Sequence, residues 1–345
     1  MTIPAPFPWF GGKRKVAGEV WRRFGDVENY VEPFFGSGAV LLGRPEPFSG
    51  PETINDLDGF VANFWRAVRV MPEETAHWAD HPVNENDLHA RHIWLVQQRD
   101  TLRASLEGDP EWCDPKIAGY WVWGICSWIG SGFCSGRGPW GIVNRQLVHL
   151  GDDGRGVNRK LVHLGDDGRG VNWKRVHLGS DGQGVNRQLV HLGSDGQGER
   201  LLPWFSALAE RLRAVRVCSG DWSRVCGPSV TFKHGRTAVF LDPPYADTAG
   251  RASDLYRKDS LDVAHAVREW AIANGDNPLL RIALCGYDRE HTLPATWAVH
   301  QWSAGDGYGG QAKTRTGNND RECIWFSPAC ESVEQPGLFE GEASA

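Results

Sequence analysis

The tetrad Asp242-Pro243-Pro244-Tyr245 closes the apolar run Ala238-Val239-Phe240-Leu241, and its residue types suit the handling of an aromatic amine. Proline fixes its own φ, has no N–H to donate and pushes the residue before it into extended geometry. The tetrad therefore offers carbonyl oxygens and one carboxylate, a stiff wall built almost wholly of acceptors. An exocyclic amine on a heterocycle has two hydrogens to give to such a wall. Holding both draws the nitrogen lone pair out of ring conjugation and aims it at an electrophile. Tyr245 adds an aromatic face on which a heterocycle can stack, a contact worth about 1–3 kcal/mol per base. The structural alternative is a Pro-Pro turn that carries a solvent-facing aspartate.

A second equipped loop lies far upstream, at Glu32-Pro33-Phe34-Phe35-Gly36-Ser37-Gly38, after a short apolar stretch. Gly36 and Gly38 let the backbone turn sharply and approach a ligand, and Ala39-Val40-Leu41-Leu42 can open a helix behind them. Asp56 follows the run Thr53-Ile54-Asn55, at the spacing from Gly36 at which a second strand delivers a carboxylate to ribose hydroxyls. The pattern is not G-x-G-x-x-G, so a pyrophosphate is not the expected guest. Asp56 could equally cap a helix, and Asp58 competes for either role. Both loops read as strand ends, where open α/β sheets bind their ligands.

A third segment, Trp9-Phe10-Gly11-Gly12-Lys13, precedes both. WFGGK, EPFFGSG and DPPY in this order resemble the adenine-N6 DNA methyltransferases of the Dam-like (D12) class, over residues 5–72 and 200–328. The resemblance implies an α/β fold: a Rossmann-like sheet that binds S-adenosylmethionine, with a target-recognition region inserted in it. It assigns Trp9, Gly11 and Lys13 to the amino-terminal cofactor motif and Glu32, Phe34, Gly36 and Gly38 to the loop around the methionine moiety. Asp56 takes the ribose, and Asp221-Trp222, after the apolar run from Val215 to Val217, takes the cofactor's adenine; packing in the core is the competing role for Trp222. Asp242, Pro243, Pro244 and Tyr245 become the catalytic loop, with Asp242 also beside the cofactor. Cys285-Gly286-Tyr287-Asp288 keeps only its aspartate from the motif that relatives show there.

Bulk properties bound the partners. The chain has 345 residues and a net charge of −6, so no global positive field draws it to nucleic acid. A local basic surface can still bind DNA. The eight cysteines form no C-x2-C pair, no histidine pair completes a zinc pattern, and no metal is expected. Reduced thiols and the lack of a signal-peptide profile point to a cytoplasmic protein of a bacterial cell or phage-infected host. The uncharged stretch from Ile117 to Phe133 reaches the lower limit of membrane-span length. Its glycines and serines favour a buried helix that ends near Gly130.

Between the two halves of the resemblance the chain repeats every 14 residues, four times from Val143 to Gly198. Each unit couples a short apolar segment, such as Leu147-Val148-His149-Leu150, to a Gly/Asp-rich turn, which predicts strand–turn units. A DNA-facing ridge, a calcium site in the Asp-rich turns and a structural spacer are the three readings, and the DNA-facing one fits the position. In relatives this region holds target recognition, through an Arg-Asn-x-x-Gly-x-Phe-Asn hairpin that this chain lacks. Arg137, Arg145, Arg159 and Lys160 are its candidate DNA contacts, with Arg251 in the loop after the tetrad.

The expected organisation is a catalytic core from residues 1–72 and 200–330, a target-recognition insertion at 73–199 and a disordered acidic tail at 331–345. Helices are expected over 88–106 and 262–273, and strands over 279–285 and 322–326. The function expected is methyl transfer from S-adenosylmethionine to adenine N6 in DNA, double-stranded above all, with base flipping and in-line transfer. A phage or mobile-element origin and a cognate restriction nuclease fit this, and the sequence leaves the oligomeric state open. RNA or other amine N-methylation, or an idle DNA-binding protein, are the alternatives.

Overall fold

The computed structural model describes residues 3–9, 13–128, 133–134, 140–143, 146–149, 201–245, 259–288, 290–302 and 322–332. Gly11, Arg137, Arg145, Arg159, Lys160 and Arg251 lie outside the described residues, as do most of the 14-residue repeats and all but the first two residues of the tail.

The chain is mixed α/β. Its strands are β1 (Asn29–Glu32), β2 (Glu52–Asp56), β3 (Trp140–Val143), β4 (Gln146–His149), β5 (Val215–Ser219), β6 (Thr237–Leu241), β7 (Leu280–Tyr287), β8 (Ala298–Trp302) and β9 (Glu322–Phe326). Its helices are α1 (Ala17–Phe24), α2 (Ala39–Leu42), α3 (Gly59–Val70), α4 (Pro72–Ala79), α5 (Glu85–Gly108), α6 (Pro115–Ser127), α7 (Leu201–Leu212) and α8 (Asp259–Asn274). Among the described residues, seven strands form one sheet in the order β5-β2-β1-β6-β7-β9-β8, while β3 and β4 make a separate antiparallel pair.

In the large sheet β5, β2, β1, β6 and β7 are parallel, and β9 runs antiparallel between β7 and β8. The chain leaves β1 towards β2 and β5 on one side and builds β6 and β7 on the other. The order therefore reverses between β1 and β6, and helices that leave these neighbours must diverge, opening a crevice outside their carboxyl ends. Register pairs Val31 with Val239, so the loops after Glu32 and Leu241 emerge side by side.

Central strands are buried on both faces, which explains their unbroken apolar runs. Tyr30, Ala238, Phe240, Ala283 and Cys285 face one layer, with α1 and α3–α7. Val31, Val239, Leu241, Ile282 and Leu284 face the other, with Val267 and Ala271 of α8. The split follows the period of two in a pleated strand. Ala76, Leu95, Leu102, Trp121 and Trp123 of α4–α6 enter the same core as Tyr30 and Phe64. Capping fixes three helix starts: Asp58, Asn84 and Asp114 accept from the backbone N–H of Phe60, Asp87 and Ile117. Among the described residues no helix is long and apolar enough to cross a membrane.

Candidate active site

The glycine loop after β1 is held from three sides. Gly36 has φ +47°, and Gly38 has φ +71° where it opens α2. Both angles lie in the left-handed region, where an L side chain is strained. Trp9 packs so closely that a Cβ on Gly36 would lie 2.3 Å from its indole. The Gly36 carbonyl accepts from Trp65 Nε1 at 2.9 Å, and its N–H donates to Asp56 Oδ2 at 2.9 Å. Asn55 Nδ2 donates to the carbonyls of Pro33 (3.0 Å) and Gly220 (2.9 Å), tying the loops after β1 and β5 together.

Asp58 caps α3, whereas Asp56 takes the Gly36 N–H and, on its other oxygen, the Asp58 N–H at 2.9 Å. Burial first, then the nearby Asp58 carboxylate, pushes the Asp56 pKa up to about 7. Across the cleft, Phe34 and Trp222 lie nearly parallel, with centroids 6.2 Å apart and planes 27° from each other. Trp222 is half-buried and also meets Trp270 of α8 edge-on. Asp221 caps the turn Trp222–Val225 through the Ser223 N–H. Leu57, between the two aspartates, is an apolar side chain left 59% exposed.

On the β6 side, Asp242, Pro243, Pro244 and Tyr245 follow directly on the strand, outside any regular element. Tyr245 donates its hydroxyl to Asp242 Oδ1 at 3.1 Å, and its ring meets Tyr287 edge-on at 4.7 Å. Lys13 comes to the same place from the amino-terminal segment: its Nζ is 2.9 Å from Asp242 Oδ2 and 3.0 Å from the Tyr245 hydroxyl. Glu32 is buried beneath, bonded by the Tyr30 hydroxyl at 2.7 Å. Burial, and after it the negative charge of Asp242, holds the Glu32 carboxyl well above the usual carboxylate range despite that bond.

The structure thus gathers Trp9, Lys13, Glu32, Phe34, Gly36, Gly38, Asp56, Asp221, Trp222 and the tetrad around the ends of β1, β2, β5 and β6. Sequence reasoning missed Asn55, Leu57, Trp65 and Glu322. Neither Asn55, one of four polar residues in the five-residue β2, nor Glu322, at the start of β9, carried a signal in the sequence.

Comparison with known proteins bears on the first part of this arrangement. Residues 9–103 match the family model described as D12 class N6 adenine-specific DNA methyltransferase. No curated protein matches the chain. That match supports an enzyme of the DNA adenine-N6 methyltransferase class, a class that acts on DNA and depends in general on S-adenosylmethionine. The matched segment carries Trp9, Lys13, the glycine loop and Asp56, while the Asp242 tetrad lies beyond it.

Proposed function

We propose that the cleft between the β1 and β6 loops binds S-adenosylmethionine on a Rossmann-like sheet and methylates N6 of an adenine flipped from duplex DNA. One observation carries this reading: the glycine loop and the Asp242 tetrad leave adjacent parallel strands at the point where strand order reverses. Donor chemistry supports the fit. The cofactor is a cation with ribose hydroxyls to donate, and the cleft offers Asp56 and Asp242 as acceptors. Gly36 and Gly38 with Trp9 behind them would hold its methionine part, Asp56 its ribose, and Phe34, Leu57 and Trp222 with Asp221 its adenine.

The bound cofactor supplies an already activated methyl on sulfur, so alignment matters more than basicity. Asp242 and the Pro243 carbonyl grip the two amine hydrogens. Tyr245 offers the flipped base its face, which the tetrad's stiffness keeps in place. Asp242 accepts the proton that the nitrogen loses once it has become cationic. A stacked adenine cannot reach this corner, so the base leaves the helix, at a cost of a few kcal/mol. Residues 1–72 and 200–330 form the catalytic core in this reading, and 73–199 the recognition insertion, with Arg137, Arg145, Arg159, Lys160 and Arg251 as candidate DNA contacts.

The test is direct. Labelled cofactor is incubated with duplex DNA, single-stranded DNA and RNA, and the modified base identified. N6-methyladenine is expected in duplex DNA; label only in RNA, or none in any nucleic acid, overturns the reading.

Asp56 provides a second check. Ribose hydroxyls donate best to an ionised carboxylate, and below pH 7 Asp56 is increasingly protonated. Cofactor affinity is therefore expected to rise with pH up to about 7 and to level off above it, weakening by up to about tenfold per pH unit below. Calorimetry with S-adenosylhomocysteine measures this, and Asp56→Asn, which cannot ionise, shows the ligand's own titration. Parallel curves for the two proteins would remove Asp56 from the ribose site.

A further inference from the structure

We propose that Lys13 is a positioning residue for methyl transfer: its ammonium pins Asp242 and Tyr245 in the geometry that grips the amine, and it is not a cofactor ligand. This rests on the reading above of Asp242 as the amine-gripping carboxylate, and it departs from the cofactor role that the motif resemblance gives to Lys13.

The triangle of contacts is closed. Lys13 Nζ is 2.9 Å from Asp242 Oδ2 and 3.0 Å from the Tyr245 hydroxyl, which is itself 3.1 Å from Asp242 Oδ1. An ammonium can only donate, so the Tyr245 oxygen must accept from it, and the single hydroxyl proton is sent to Asp242. Lys13 thus decides which way the tyrosine bonds as well as where the carboxylate sits. Each carboxylate oxygen can accept twice, so both retain capacity for the amine hydrogens. The two prolines fix the backbone between Asp242 and Tyr245, and side-chain rotation is the freedom that remains. Lys13 removes it from both ends.

The surroundings make this cation the matching charge. Lys13 is buried, 4% exposed. Among the described residues Glu32 of β1, Cys285 of β7 and Tyr245 face Asp242, and Glu322 of β9 faces Lys13. None of these is cationic, and Glu322 Oε2 is itself 3.8 Å from Lys13 Nζ. The rings of Tyr245 and Trp302 lie 5.4 and 5.7 Å from the ammonium, a further attraction for a buried cation. Burial alone would lower the pKa of Lys13, but Asp242, with Cys285 and Glu322, raises it above the ordinary lysine value. Lys13 therefore stays protonated and does not serve as the base, which leaves the proton of the methylated amine to Asp242.

Lys13→Met in the full chain separates positioning from cofactor binding. S-adenosylhomocysteine affinity is measured by calorimetry, and single-turnover methyl transfer to duplex DNA at saturating cofactor and DNA. The transfer rate is expected to fall roughly 100-fold, as for a small misplacement of a reacting group. The dissociation constant is expected to stay within about threefold of wild type, the signature of an interaction spent on the transition state. A dissociation constant weakened about tenfold or more, with the rate restored at saturation, would make Lys13 a cofactor ligand and overturn the proposal. So would an unchanged or faster rate, the latter showing that the ammonium merely fills the amine's place. Lys13→Gln, which keeps length and a donor but no charge, is judged by the same criteria if the methionine variant does not fold. A wild-type protein that methylates no adenine N6 would instead overturn the functional reading itself.

Discussion

Asp242→Ala is expected to abolish methyl transfer, by at least roughly a thousandfold, while S-adenosylhomocysteine still binds. In the proposed reading the carboxylate belongs to the tetrad's wall of acceptors, and without it the amine hydrogens would lose the charged partner that turns the lone pair towards the methyl group. Cofactor binding should survive, because the glycine loop is fixed independently by Trp65, Trp9 and Asp56. The substitution also takes the 2.9 Å ion pair from the buried Lys13 ammonium, which keeps the Tyr245 hydroxyl at 3.0 Å and Glu322 at 3.8 Å. Breaking a buried pair from one side costs about 3–5 kcal/mol, less here since the Asp242 side chain keeps 17% exposure. Asp242→Asn is therefore the companion variant: it retains shape and an acceptor oxygen for Lys13 but not the charge. Both variants should be inactive in a labelled-methyl assay, and only the alanine form should show clearly lowered thermal stability. Turnover within tenfold of wild type in the asparagine form would show that the carboxylate's charge is dispensable, against the role assigned to it.

Which parts of the architecture could be read from residues alone follows from burial. Strands at the sheet centre are covered on both faces, so Ala238–Leu241 and Ile282–Leu284 appear as apolar runs with nothing to interrupt them. The expectation for 322–326 coincides with β9, and those for 88–106 and 262–273 lie inside α5 and α8. The edge strand β8 escaped notice because most of Ala-Val-His-Gln-Trp is exposed or half-exposed, leaving no alternation to detect. The helix α1 was missed as well, although Ala17, Val20, Trp21 and Phe24 keep helical spacing: its eight residues make only about two turns, short of the window over which the period stands out. The helix read as ending near Gly130 stops at Ser127, after starting at Pro115 behind the Asp114 cap. At the site, each loop announced itself through residue types that only a special backbone or an acceptor wall would use. Their assembly did not. Lys13 and Tyr245 are 232 positions apart, and no local pattern says that one ammonium will close on the other loop. Glu322 is similarly invisible, since a single acid at a strand start is ordinary until the sheet order sets it near Lys13.

Gly36→Ala tests the other half of the cleft and is expected to cost both stability and cofactor affinity. An alanine at φ +47° pays about 1–2 kcal/mol for the left-handed backbone alone. Its Cβ would also stand 2.3 Å from Cδ1 and Nε1 of Trp9. That indole cannot retreat freely, because Phe7 and Trp121 pack against it at 5.7 and 6.4 Å. Overpacking of this kind adds about 1–3 kcal/mol. If the backbone moves instead, it gives up the bonds to Asp56 and Trp65 that hold the loop. Either route shifts the turn against which the methionine part of the cofactor would lie, and affinity for S-adenosylhomocysteine should weaken by more than about tenfold. Gly18→Ala is the matched control. It lies within α1 with nothing inside 4 Å of its added carbon, so it should raise stability by up to about 1 kcal/mol and leave binding alone. Chemical denaturation and calorimetry on the two variants separate the outcomes. Wild-type affinity in Gly36→Ala would mean that the cofactor does not use this turn, and the proposed cleft would lose the wall opposite Asp242.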